Sequence, residues 1–170
     1  MRVLAIMAAL LLVSAVSARA QTYNVFLNGF EQNDGAGGFG LGDPDGTGSG
    51  TVTINTITDT ITWNIVYANI AAPTDAHIHI GGFGTNGGVV VPFGTGNTSG
   101  NPNTISGSII DSDGDLIVAN PNGYYVNIHN GAFPGGAIRG QIPEPSAMTL
   151  LLAPAVFAIR RSRTCARRLG

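Results

Sequence analysis

Lysine is absent from the 170 residues, and the eight arginines avoid the middle of the chain. Two precede Ala20, five fall between 160 and 168, and Arg139 alone lies between. All ten acidic residues fall between Glu31 and Glu144, so residues 21–145 carry one arginine against ten carboxylates, a net of −9. A body of that charge repels phosphate backbones, heparin-like polymers and anionic headgroups, which are held by arrays of Lys and Arg. This argues against nucleic-acid binding. Cysteine is nearly absent too. Cys165 is the only one and sits among the C-terminal arginines, so no intrachain disulfide can form and the fold must rest on packing, hydrogen bonds or a metal. Charged residues make up only 11% against 44% apolar, which is too hydrophobic for a disordered acidic polymer. The 25 glycines follow no three-residue period, and no longer repeat appears, so collagen, solenoids and propellers are excluded. The length suits one domain with short appendages.

What the chain does have is alternation. Tyr23, Val25 and Leu27, then Val52 and Ile54, then Ile61, Trp63, Ile65 and Tyr67 recur at period two, the pattern of half-buried strands. Residues 57–61 place a short polar centre between β-branched flanks and predict a turn between two antiparallel strands. Further strands are predicted near 76–80, 89–93, 104–110, 124–129 and 137–142, about eight in all. No window of helical length combines apolar spacing with freedom from Gly and Pro, so helix content should be near nil. The expected fold is all-β, an antiparallel Greek-key β-sandwich or barrel, immunoglobulin-like or superoxide-dismutase-like in architecture. Residues 35–50 read as a glycine-rich mobile loop and 97–103 as a polar connection.

The two ends read as addresses. Met1-Arg2, an apolar run from Val3 to Val16 and the small residues Ala18 and Ala20 match a signal peptide over 1–20, cleaved before Gln21; about 14 apolar residues fall short of the ~20 a spanning helix needs. At the other end, Pro143-Glu144-Pro145 precedes an apolar stretch from Ala147 to Ile159 and then Arg160, Arg161 and Arg163. This order resembles the PEP-CTERM sorting signal, which implies membrane contact through residues 143–170, an exosortase-type processing enzyme as partner, and display at the envelope or in the matrix of an exopolysaccharide-making Gram-negative bacterium. Under the positive-inside rule the arginines stay cytoplasmic while the prolines mark an extended segment outside. The body is then 21–142.

Within that body the histidines carry the only concentrated ligand chemistry. His77 and His79 lie two apart in a predicted strand, so their imidazoles project from one face, with Ile78 and Ile80 expected to pack on the other. His129 ends a second strand in which Val126 and Ile128 alternate with Asn127 and His129. If the strands pair, three imidazoles converge with one coordination position open, a set suited to copper or zinc. The competing reading is that the rings are neutral and hydrogen-bonded to carbonyls or to Asn127, with no ion. Arg139, the lone cation of the body, is expected to be structural, paired with a buried carboxylate or with backbone carbonyls.

Other motifs carry less. Asp111-Ser112-Asp113-Gly114-Asp115 has alternate carboxylates but not the glycine and glutamate positions of a calcium-binding hand, and reads as a turn, as does Asp43-Pro44-Asp45-Gly46. The glycines of 35–40 lack the helix and lysine of a phosphate loop. No serine sits in a nucleophile elbow, and no exposed aromatic cluster announces a carbohydrate platform. Catalytic residues are therefore not nominated.

Leu27-Asn28-Gly29, Gly48-Ser49-Gly50-Thr51-Val52, Ala76-His77-Ile78-His79, Gly87-Gly88-Val89-Val90, Tyr125-Val126-Asn127-Ile128-His129 and Gly135-Gly136-Ala137-Ile138-Arg139-Gly140-Gln141 together resemble the CHRD domain over residues 23–142. The family pattern usually carries an acidic residue where Ala137 stands. A weaker resemblance joins His77, His79, His129 and Arg139 to the copper site of copper-zinc superoxide dismutases, without their fourth histidine, separate zinc set or disulfide. The leading expectation is an exported CHRD-like domain that acts by binding or structure, with exopolysaccharide or other envelope proteins as partners. The alternative is a copper- or zinc-binding protein with redox capacity.

Overall fold

The computed structural model describes residues 20–94 and 103–144. Eight strands form in chain order: β1 (Ala20–Asn28), β2 (Thr47–Asn55), β3 (Thr60–Ala68), β4 (Pro73–Ile80), β5 (Val89–Pro92), β6 (Thr104–Ile110), β7 (Tyr124–Asn130) and β8 (Ile138–Gln141). They join in one antiparallel sheet of order β5-β4-β7-β8-β1-β2-β3-β6, in which the connections from β3 to β4, β5 to β6 and β6 to β7 cross between strands that are not neighbours. The sheet curls strongly into a half-barrel. Its apolar residues face inward at period two: Val25 and Leu27 of β1, Val52 and Ile54 of β2, and Ile61, Trp63 and Ile65 of β3 are buried, as are Val126 and Ile128 of β7. Curling brings the sheet's two ends together. Trp63 of β3 stacks on Phe93, just past β5, with centroids 4.2 Å apart and planes 11° apart.

Three local expectations change. Residues 35–50 are packed rather than slack. The Gly42 N–H donates to Gly29 O, the Asp43 N–H to Ala137 O and the Gly40 N–H to Phe30 O, while Gly48 and Gly50 lie inside β2. Glycine serves close approach there, since a Cβ on Gly50 would collide with the carbonyl of Asn64. A six-residue helix, α1 (Gly114–Ala119), and a 3-10 turn at Pro121–Gly123 appear where none was expected. Alone, six residues would not hold a helix; α1 exists because it buries Ile117 in the core. The Asp111 carboxylate accepts the Asp113 N–H at 3.0 Å and leads into that helix, so this acidic run is a turn that continues helically. Ile80 is the third change. Ile78 is fully buried, but Ile80 ends β4 beyond an irregular step in its pairing with β5 and is 50% exposed.

Of the targeting residues, Ala18, Pro145, Arg160, Arg161 and Arg163 lie outside the described residues, as does most of the connection expected at 97–103. Ala20 opens β1 opposite Asn55, while Pro143 and Glu144 follow β8. Among the described residues no helix is long and apolar enough to cross a membrane.

Candidate metal centre

The antiparallel pairing of β4 with β7 sets His77 opposite Asn127, His79 opposite Tyr125 and Asp75 opposite His129. All six residues stand on the face of the sheet away from the Val126–Ile128 core, so the three imidazoles meet as the strand reading required. Ring centroids are 5.3 Å apart for His77 and His79, 5.2 Å for His77 and His129, and 5.9 Å for His79 and His129. One ring nitrogen from each lies within 4.8 Å of the other two, making a group that could hold a metal ion. The carboxylates at 111, 113 and 115 form no such group among the described residues.

Hydrogen bonds decide which nitrogens remain available. Two loops fold over this face, Gly81–Gly88 between β4 and β5 and Gly131–Ala137 between β7 and β8. The first presents Gly87 O to His79 Nδ1 at 3.0 Å, and the second presents Pro134 O to His129 Nδ1, also at 3.0 Å. A carbonyl only accepts, so both Nδ1 atoms carry the proton and both Nε2 atoms keep a lone pair. The third ring is held the other way round. His77 Nε2 meets the Asp75 carboxylate at 3.0 Å, which leaves Nδ1 bare. His77 Nδ1, His79 Nε2 and His129 Nε2 are buried and have no partner. Burial lowers the pKa of both His79 and His129 below the usual imidazole value, a fall that their carbonyl contacts only partly offset. Both rings are therefore neutral where a metal ligand must be.

A second layer supports the first. Tyr125 stacks on His79 with centroids 5.0 Å apart and planes 7° apart, and the Arg139 guanidinium lies 3.4 Å from the Tyr125 ring centroid. In the strand order β4-β7-β8 the phenol stands between imidazole and guanidinium. Arg139 is 1% exposed and donates to Gly82 O at 3.2 Å, Thr85 O at 2.8 Å and Asn86 Oδ1 at 2.8 Å. Of the two partners expected for it, it meets the carbonyls, and the segment it ties down is the loop that carries Gly87. Asn127 does not bond the histidines. Its amide oxygen accepts from Gln32 Nε2 and its nitrogen donates to Gly135 O at 3.3 Å, pinning the other loop.

The competing reading foresaw carbonyl partners for the histidines, and His79 and His129 have them, without the two loop residues that supply them being named. Sequence reasoning missed Asp75 and Tyr125. Asp75 was open to discovery, since it lies two residues before His77 on the same strand face. It also missed an aromatic row. Phe30, Phe39 and Phe83 stack in succession, with Phe30 and Phe83 largely exposed, although no exposed aromatic cluster was expected.

The CHRD domain family matches residues 35–142, beginning at Gly35 rather than at Tyr23. No curated protein and no solved structure matches the chain.

Proposed function

Because the chain belongs to the CHRD domain family across residues 35–142, we propose that it is a CHRD-domain protein acting by binding rather than catalysis, and that it binds one copper or zinc ion through His77, His79 and His129. The support is one coincidence: three ring nitrogens, buried without partners and close together, each on an imidazole whose opposite nitrogen is already engaged. A buried acceptor without a donor costs about 1–3 kcal/mol, so three in one place need compensation that a single cation can supply. A tetrahedral ion with ligands at about 2.0–2.1 Å needs nitrogens about 3.3 Å apart, within a small ring movement of the present spacing. Imidazole without thiolate or several carboxylates favours zinc or copper over magnesium or calcium. The outward hydrogen bonds to Asp75, Gly87 and Pro134 are those that orient metal-bound histidines. Three protein ligands leave a position for a further ligand. The Arg139 nitrogens that face the loop are committed to it, and Arg139 is the only Lys or Arg among the described residues.

The test is metal analysis of the purified chain after loading with zinc or copper and removal of excess. One ion per chain is expected; substantially less would overturn the assignment.

The address readings complete the proposal. The leader over 1–20 and the tail over 143–170 support export and exosortase sorting to the cell surface or matrix. Mass spectrometry of the native protein should find a mature chain beginning at Gln21 and lacking Cys165. A mature form retaining Cys165 would count against sorting.

A further inference from the structure

We infer that the row formed by Phe30, Phe39 and Phe83 is a docking surface for an arginine-bearing cationic peptide segment, separate from the metal centre. The rings come from two loops about 50 residues apart in sequence. Phe30 and Phe39 lie 6.0 Å apart with planes within 15°, and Phe39 and Phe83 lie 5.3 Å apart with planes within 25°. Phe30 is 67% and Phe83 64% exposed, so the outer members present ring surface to solvent. Single exposed phenylalanines are ordinary, but a stacked row is a contiguous apolar patch of the kind that marks an interaction site.

The row is built on fixed supports. Arg139 holds the Phe83 loop through Gly82 O and Thr85 O, and Asn86 Nδ2 reaches across to Asn33 O on the other loop at 2.8 Å. Phe39 lies in a bridge with Asn33, and the Gly40 N–H is held by Phe30 O. Little ordering is left for a partner to impose, which lowers the cost of association.

Charge and hydrogen bonding select the partner. Arg139 is the only cation among the described residues and is buried, so this surface offers nothing to a phosphate, an acidic polysaccharide or an anionic membrane. A neutral sugar needs directed polar partners beside the rings. Those of Asn33 and Asn86 are consumed internally: Asn33 donates to Glu31 O and accepts the Gly35 N–H, and Asn86 accepts from Arg139 and donates to Asn33 O. A second copy of the described domain brings no exposed cation. Two carboxylates stand by the row in sequence. That of Glu31, next to Phe30, is half-buried. The exposed one of Asp34 takes the N–H groups of Ala36 at 2.8 Å and Gly38 at 2.9 Å and so caps the turn carrying Phe39. Those backbone bonds hold its pKa below the usual carboxylate value, so it stays charged. Aromatic faces next to a fixed carboxylate suit guanidinium, which is planar, weakly hydrated and able to stack and pair together.

The experiment titrates the full-length protein with octa-arginine and, separately, with octa-lysine of equal charge. Octa-arginine should bind at least severalfold more tightly. Phe83→Ala should weaken it about threefold to fivefold, the value of one exposed cation–π contact, and Asp34→Asn should also weaken it. Asp111→Asn, a remote acid, should leave it unchanged. Phe83 is exposed, so its loss leaves the core intact, and circular dichroism checks that. Equal binding of both peptides with no effect of Phe83→Ala would reduce the surface to general acidity and overturn the proposal. So would no binding, or binding of neutral dextran or phosphatidylcholine vesicles in place of octa-arginine. None of these results depends on whether an ion is bound at the histidines.

Discussion

His79→Ala should abolish stoichiometric metal binding, with affinity for zinc or copper falling by roughly two to three orders of magnitude. Structural zinc sites bind with about 10–16 kcal/mol shared among their ligands, so one of three imidazoles accounts for several kcal/mol. The variant also loses the stacking on Tyr125 and the bond to Gly87 O, and the metal-free protein will be weakened for that reason alone. The informative quantity is therefore the ion-dependent shift in melting temperature, not its absolute value. At an ion concentration 100-fold above Kd the wild type gains about 2.7 kcal/mol, worth about 10 °C for a domain of this size, whereas the variant should gain close to nothing. Asp75→Asn supplies the graded comparison. It keeps all three ligands and weakens only the acceptor that orients His77, so affinity should fall about 10- to 100-fold. A wild-type melting curve indifferent to both ions would reject the centre. Equal shifts in wild type and His79→Ala would place the ion elsewhere.

Why the grouping of the three histidines could be anticipated while the residues that support it could not follows from the range of each signal. Period-two alternation is local: it places Tyr23, Val25 and Leu27 on one face and predicts that His77 and His79 share a face, with no knowledge of neighbours. Pairing of β4 with β7 links residues about 50 apart, so His129 could be joined to the pair only conditionally. The supports are further removed from pattern. Gly87 and Pro134 act through backbone carbonyls, which any residue type supplies, and their positions depend on how two loops fold back over the sheet. The loop at 35–50 was misjudged for a related reason. Composition reports that glycine permits freedom, but not that the backbone of Ala137 or Asn64 approaches so closely that only glycine fits. Helix α1 was missed because six residues carry no helical period of their own; docking of Ile117 supplies what propensity does not. Likewise Phe30, Phe39 and Phe83 are scattered in sequence and become a row only when Arg139 and Asn86 bind their loops together.

Arg139→Met should destabilise the domain by about 3–4 kcal/mol while leaving the apolar core unchanged. Methionine matches the length of the aliphatic stem but offers no donor, so Gly82 O, Thr85 O and Asn86 Oδ1 each lose their partner. An orphaned acceptor costs about 1–3 kcal/mol where it is buried, and the low end applies to each of these three because Gly82 is only half-buried and Thr85 and Asn86 are exposed. The contact with the Tyr125 ring adds to the loss. Arg139→Lys separates charge from shape: a single ammonium cannot span three acceptors, so it should recover only part of the difference. Urea denaturation measures both, and an unchanged m-value would show that the same surface is exposed on unfolding. A loss under about 1 kcal/mol for methionine would mean that the loop holds without the guanidinium. A second effect follows from connectivity. The loop that Arg139 ties down is the one whose Gly87 carbonyl fixes the His79 tautomer, so in the folded variant metal affinity should fall as well, though less than in His79→Ala. Stability and metal affinity falling together on one substitution outside the ligand set is the result expected if the buried arginine holds the loop that aims the ligand.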